Sequence, residues 1–398
     1  MRIKKYWAAP FLTSLMIAPT FAEGDLNING FLSVGASMLD ESKATIAGAD
    51  TNGGFKQDTV LGLQVQKQVN DSTSATGQLV SRGSDDYSTE AAWAFITYAA
   101  NDDLDIRMGR LRIPFFYYSD FLEVGYAYNW IRPPEEVYRI PFSSIDGFDI
   151  SQRFSSGNMD GSVQFYYGRY QGAFKTATAD YKADFKNFTG LAINANLGDF
   201  GGRISYHQAE LILDTSVAGT TISDAIALAG AIAAVPAGVD VGAATGNPAL
   251  AGFVGVGDAS AAENFSLTGQ TSRFYEAAAF YDNGDISVVA EWTMLDHDNS
   301  IFLDDQAWML STSKRMGDMT AHLSYSTQKD ELDSGNEGTI QGQLPLQAEE
   351  TSITLGLRYD YDSSTALKFE VQNNDEKTAF GVDGDSATLY SVAVDIVF

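Results

Sequence analysis

No cysteine occurs in the 398 residues, and histidine occurs only three times. A chain without thiols has no disulfide framework, no thiolate metal site and no thiol nucleophile. Basic residues are scarce as well, with 25 Lys and Arg against 52 Asp and Glu and a formal net charge of −27. That balance excludes nucleic acid as a partner, since its affinity comes from neutralising phosphates with cations. Long apolar runs are missing too. Beyond the N-terminus no stretch reaches the ~20 apolar residues of a spanning helix; the longest, Ala225 to Val239, is interrupted by Pro236. No glycine pattern of a phosphate- or dinucleotide-binding loop is present, so no cofactor is implied.

At the N-terminus, Arg2, Lys4 and Lys5 precede an uncharged run from Tyr6 to Met16 and the small-residue site Thr20-Phe21-Ala22. This pattern predicts an export signal over residues 1–22, cut after Ala22. Loss of those three positive charges takes the mature chain, 23–398, to −30.

What the mature chain does have is a period of two. Leu26, Ile28, Gly30, Leu32, Val34, Ala36 and Met38 alternate with Asn27, Asn29, Phe31, Ser33, Gly35 and Ser37. Ile353, Leu355, Leu357 and Tyr359 likewise alternate with Thr354, Gly356 and Arg358. Such alternation marks strands with one apolar face. About sixteen segments read this way, of the roughly ten-residue length of a tilted membrane strand. They lie near 26–38, 58–69, 73–82, 89–99, 104–110, 146–154, 160–169, 186–197, 201–209, 272–282, 285–294, 305–316, 319–328, 350–361, 364–373 and 387–398. None of the nine prolines falls inside them, as expected of strands paired on both sides.

Connections alternate in length. Tight polar turns such as Gly198-Asp199 and Gly317-Asp318 separate longer loops at 39–57, 83–88, 111–145, 170–185, 210–271, 295–304, 329–349 and 374–386. Loops sorted by parity are the asymmetry of an outer-membrane barrel. Aromatics on the apolar parity agree, with Phe154, Phe200, Tyr281, Tyr361 and Phe398 at the short-turn ends and Tyr167, Tyr206, Trp292, Tyr325 and Tyr390 toward the long loops. Two girdles at two water interfaces are therefore predicted. The predicted fold is all-β, a transmembrane antiparallel barrel of sixteen strands, or eighteen if 211–214 and 252–256 are strands hidden in loop 210–271. That Ala- and Gly-rich loop could otherwise remain irregular, or form a short helix capped at Ser223 that closes the mouth or covers a neighbouring subunit.

The unusual stretch is Arg110 to Phe142, which holds ten aromatics and Pro114, Pro133, Pro134 and Pro141. Its prolines forbid a continuous helix or central strand, and its aromatics are too many for a solvated connection. It is expected to fold into the lumen. There its carboxylates Asp120, Glu123, Glu135 and Glu136 would oppose a wall of Arg82, Arg107, Arg110, Arg112 and Arg153 as a pore constriction. Opposed charges across a narrow pore set up a transverse field. Arg110 shares parity with Met108, so it reaches the lumen only if Gly109 permits a bulge. Arg132 and Arg139 are candidates to pair with Glu135 and Glu136 instead. The polar parity elsewhere predicts Arg203, Arg358, Glu276, Glu291, Glu370 and Asp395 as further wall charges. Excess acid in the long loops favours cations at the mouth.

The last strand, Ala387 to Phe398, alternates Tyr390, Val392, Val394 and Ile396 and stops on phenylalanine. It resembles the C-terminal assembly signal of bacterial outer-membrane barrels. With the long third loop and sixteen segments, the mature chain resembles a Gram-negative general porin over nearly its whole length. The resemblance implies a homotrimer in the outer membrane, in contact with lipid and lipopolysaccharide, whose third loop bends inward and which passes small hydrophilic solutes. The loop lacks the Pro-Glu-Phe-Gly-Gly type of segment of enterobacterial porins, and Asp120 to Tyr138 looks instead like the loop of marine gammaproteobacterial porins.

Two other readings have residues behind them. Tyr117, Tyr118, Tyr126, Tyr128, Trp130 and Tyr138 would suit a stacking track for sugar faces, making the channel sugar- or oligosaccharide-selective, or else they form the loop's own packing core. His322-Leu323-Ser324 resembles the His-x-Ser pair of outer-membrane phospholipases, but its parity points it away from lipid and a nucleophile and base alone are not a site. Asp296 to Ser300 has alternating oxygen ligands, yet Ile301 stands where a calcium loop needs glycine, so no metal is expected.

Overall fold

The computed structural model describes residues 26–41, 46–175, 180–214, 220–264, 268–298, 302–344, 347–378 and 382–398. The expected export signal lies outside the described residues. Sixteen strands run in chain order: β1 (Leu26–Leu39), β2 (Val60–Asn70), β3 (Thr73–Arg82), β4 (Thr89–Ala99), β5 (Leu104–Arg112), β6 (Ser144–Ser156), β7 (Met159–Lys175), β8 (Asp180–Leu197), β9 (Phe200–Asp214), β10 (Thr268–Asp282), β11 (Ile286–His297), β12 (Asp304–Met316), β13 (Met319–Glu331), β14 (Glu349–Asp360), β15 (Thr365–Thr378) and β16 (Val382–Val397). Each pairs antiparallel with its sequence neighbours, and β1 pairs with β16 to close the ring. Closure leaves no edge strand, the condition for a sheet to stand in hydrocarbon.

The seam is fastened at the C-terminal residue. Gly30 N donates to Phe398 O (2.7 Å), and Phe398 N donates to Gly30 O (2.9 Å). The Phe398 ring lies over Gly30, where any Cβ would collide with it.

Alternation then assigns two environments. Leu63, Ile96, Leu191, Leu310, Leu355 and Val371 are exposed on the outward parity. On the other parity Ser205, Glu276, Ser324, Lys368 and Asp395 are buried. Outward aromatics gather at two levels, Tyr167, Tyr206, Tyr325 and Tyr390 toward the long loops and Phe200, Tyr361 and Phe398 at the turns.

The sixteen segments stand as expected, but several ends differ. β7, β8 and β9 run to 17, 18 and 15 residues, past the 9–11 a membrane strand needs. The predicted loop 170–185 is therefore mostly a continued hairpin, as is much of 374–386. Ladder bonds satisfy the backbone there at no cost in buried polar groups. Residues 211–214 belong to β9, and the 252–256 stretch makes only a single bridge, Asp240 to Val254. Among the described residues the count is sixteen.

The described part of the β9–β10 loop, residues 220–264, is built rather than irregular. Helix α1 (Thr220–Ala234) begins three residues before Ser223, in an Ala-rich run of good helix formers. Helix α2 (Val241–Thr245) is capped by Asp240, whose carboxylate accepts from Ala243 N at 2.7 Å. Ala229, Ile232, Ala233 and Val241 pack with Ile340 and Leu344, which come from helix α3 (Gly335–Gln341) and the residues after it. Gln343 ties the two loops by bonds to Val254 N and O.

Candidate functional site

The β5–β6 loop, residues 113–143, carries the four acidic candidates, and its contacts run to inward-facing residues around most of the ring. At its start Arg203 of β9 donates to Pro114 O, and Phe115 sits edge-on to Phe274 and His207. Glu291 of β11 accepts from Tyr117 N (2.9 Å) and from the Tyr138 hydroxyl. A short 3-10 turn at Gly125–Ala127 then presents its carbonyls to cations of β14 and β15. Arg358 donates to Tyr126 O and Tyr128 O (2.7 and 2.8 Å). Lys368 donates to Gly125 O and Trp130 O (2.6 and 2.5 Å) and pairs with Asp395 at 2.9 Å. Glu370 accepts from Ile131 N (2.8 Å), Trp130 Nε1 donates to Ser324 Oγ (2.7 Å), and Arg132 donates to Ser391 Oγ (2.6 Å).

These bonds explain how a segment with four prolines stays ordered without regular structure. Its unpaired main-chain groups are met by wall side chains, several of them charged, and such bonds are the stronger kind.

The acidic candidates divide into two kinds. Glu123 is clamped by Arg82 (2.6 Å) and lies 3.8 Å from Arg112. Burial alone would raise its carboxyl, but Arg82 and then Arg112 hold it below the usual carboxylate range. Glu136, 1% exposed, accepts from Ser326 Oγ at 2.8 Å and works as a peg. Asp120 and Glu135 are exposed. Glu135 is nonetheless crowded by protein, which raises its carboxyl; Arg132 opposes the shift, and Glu136 and Glu350 add to it. Asp120 acts electrostatically on Arg107 and Arg112, and Arg107 is itself bidentate with Asp149.

Two basic candidates, Arg110 and Arg153, stand apart from the predicted wall. No register shift occurs at Gly109. Its φ of +134° instead lets the backbone approach Ala94 O, where a Cβ would clash. Arg110 therefore stays outward and pairs with Asp146 at 3.0 Å. Arg153 faces inward but at the short-turn end, on Asp105 (2.6 Å) and Asp102 O (2.8 Å). Arg112 is 5% exposed and lies over the Trp93 ring. Within the loop, Arg132 and Arg139 pair with Asp58 and Asp305 rather than with Glu135 and Glu136.

Of the predicted stacking track, two residues are taken up by packing. Trp130 and Tyr128 are buried, the Tyr128 hydroxyl is spent on Leu122 O (3.0 Å), and Tyr118 is edge-on to Tyr117, Tyr128 and Trp130. Tyr117, Tyr118, Tyr126 and Tyr138 remain half-buried, with Tyr126 under Arg358. His322 and Ser324 are 3% and 1% exposed beneath the loop. Ser324 bonds Ser311 and Trp130, and His322 lies 3.4 Å from Glu370, so no nucleophile–base pair forms. Asp298 is held by Arg273 (2.6 Å); residues 299–301 lie outside the described residues.

The sequence of the Gram-negative porin family matches residues 247–395. The fold is shared with solved barrels: an anion-selective porin from Comamonas acidovorans (13% identity, 94% of this chain and 100% of that one, TM-score 0.57), the outer membrane channel DcaP of Acinetobacter baumannii (11%, 94% and 98%, 0.56) and outer-membrane expressed OmpT of Vibrio cholerae (14%, 96% and 99%, 0.55). The barrel thus shares the fold of solved outer-membrane porins, and its residues 247–395 are similar to the Gram-negative porin family. No curated protein sequence matches the chain. Two parts of this barrel escaped sequence reasoning, the seat at Lys368 and the pairing of Arg132 with Asp58. Lys368 stood on the polar parity of β15, two residues from Glu370 and diagonal to Asp395, which lies opposite Ala366, and an intramembrane lysine on a strand's inner face was the available signal.

Proposed function

We propose that this porin barrel is a water-filled outer-membrane channel for passive diffusion of small hydrophilic solutes and ions, with a mild cation preference. The observation that carries the reading is a closed ring whose outward parity is apolar and whose inward parity bears charges and hydroxyls, with one loop bonded to those inward residues. Charges on that parity are affordable only beside water or a partner, since Arg or Lys facing mid-bilayer lipid costs ~2–4 kcal/mol. Asp120 and Glu135 are the exposed loop carboxylates and the candidates for filtering, with Arg107 opposite Asp120. Arg82, Arg112, Glu123 and Glu136 hold the loop in place. The chain is exported through residues 1–22 and assembles as a homotrimer among lipid and lipopolysaccharide. Planar-bilayer recording under a salt gradient tests this. Step currents closing in threes with a cation-side reversal potential are expected, and absence of step currents from folded protein overturns the reading.

A further inference from the structure

Loop 113–143 does not occupy the ring evenly. Over the half of the wall nearest the short turns, inward residues of β12–β16 are covered: Thr320, His322, Lys368 and Asp395 are 4%, 3%, 1% and 2% exposed. At the same height on β1–β8 several inward side chains remain partly accessible, although Thr76, Gln78 and Asp149 are 8%, 5% and 0% exposed, and the chemistry of this wall is different. Asn27, Asn29, Gln64, Gln66, Gln164 and Asn194 are half-buried, not buried.

Register makes them one surface. Asn27 lies opposite Gln66 and Asn29 opposite Gln64, which continues to Gln78. The band passes through Ser74, Thr97 and Arg107, then Ser151 and Gln164, to Ser162 and Asn194. Its guanidinium groups are neutralised in place, Arg107 by Asp149, Arg153 by Asp105 and Arg203 by Glu276. Phe95 adds one half-exposed aromatic face beside Arg107.

We propose that this amide band is the permeation path and that it favours neutral polyhydroxylated solutes, sugars above all. The inference rests on the channel reading and adds a solute class to it. An amide has two donor hydrogens and an acceptor oxygen. Gln64 Oε1 accepts from Gln78 (3.1 Å), Gln164 Nε2 donates to Asp149 (2.9 Å) and Asn194 bonds Ser162 and Arg203 (3.3 and 3.1 Å), so a passing hydroxyl meets the donor and acceptor positions these bonds leave over. Equivalent amides side by side exchange a hydroxyl from one to the next without a deep well, the condition for conduction rather than trapping. Paired arginines leave little net field along the wall, so ion preference falls to the loop carboxylates.

The test compares the full-length wild type with Gln66→Leu/Gln164→Leu and with Asp120→Asn, each shown folded by heat-modifiable gel mobility. Sugar uptake is read by liposome swelling in raffinose and ion flow by single-channel conductance in KCl. The double leucine variant is expected to slow swelling roughly fivefold, the loss of about one neutral hydrogen bond, with KCl conductance changed less than swelling. Asp120→Asn should shift the reversal potential. Swelling and conductance falling in equal proportion, or swelling unaffected by the leucines, overturns the proposal. Absence of wild-type step currents would instead overturn the channel reading itself.

Discussion

Replacement of Lys368 by methionine removes one ammonium group from the point where the loop meets β15. Lys368 is 1% exposed and holds two loop carbonyls and the Asp395 carboxylate, itself 2% exposed. Methionine preserves the length of the stem, so the perturbation is chiefly one of charge and hydrogen bonding. Breaking a buried pair by removing one partner costs about 3–5 kcal/mol, because the remaining charge is left uncompensated. Two carbonyls lose their donor as well. Arg358, Glu370 and Ser324 still grip the same stretch, so the loop should loosen rather than leave. Lys368→Met should therefore unfold at lower denaturant and show larger, noisier single-channel currents. Lys368→Met/Asp395→Leu, which removes both charges, should regain most of the stability but keep the noisy currents. A single variant within about 1 kcal/mol of wild type, below the cost expected for an uncompensated buried charge, would refute the argument.

Other outcomes follow from the same geometry. Trp130→Phe loses the bond to Ser324 and should destabilise by about 1 kcal/mol, measured by denaturant titration. Glu136→Gln should leave the reversal potential unchanged, since its carboxylate is turned into the wall, whereas Glu135→Gln should lower cation preference. Burial first and Asp304 next raise the Asp333 carboxyl to about 6, so recordings across pH should show cation preference fading as pH falls through about 6. The folded state holds that proton more tightly than the unfolded one. Its contribution to stability is thus fully present below 3.8 and is lost as pH rises through about 6. Arg110→Ala should change neither conductance nor selectivity, because the side chain faces outward on Asp146.

Most of the ring was legible because a period of two records the boundary between lipid and lumen at every residue, and a one-residue slip would invert both faces. Strand ends beyond the membrane were not, since β7–β9 lose the lipid constraint there while their ladders continue. The loop's burial could be read from its aromatics and prolines. Its partners could not, because a bond such as Arg132 with Asp58 joins residues whose proximity is set only when the ring closes. Arg110 shows the limit in the other direction. Parity alone placed it outward, and the bulge invoked to turn it inward is absent; an outward pair with Asp146 accommodates the charge near the long-loop end instead.

The division of the ring into a covered and an open wall is tested most directly by thiol accessibility, since the chain has no cysteine of its own. Single variants Gln66→Cys, on the open wall, and Ser352→Cys, 1% exposed on the covered wall, would be treated with a water-soluble methanethiosulfonate during bilayer recording. Rapid stepwise loss of current at Gln66→Cys with none at Ser352→Cys is the predicted result. Equal reaction at both positions, or reaction at Ser352→Cys alone, would contradict it.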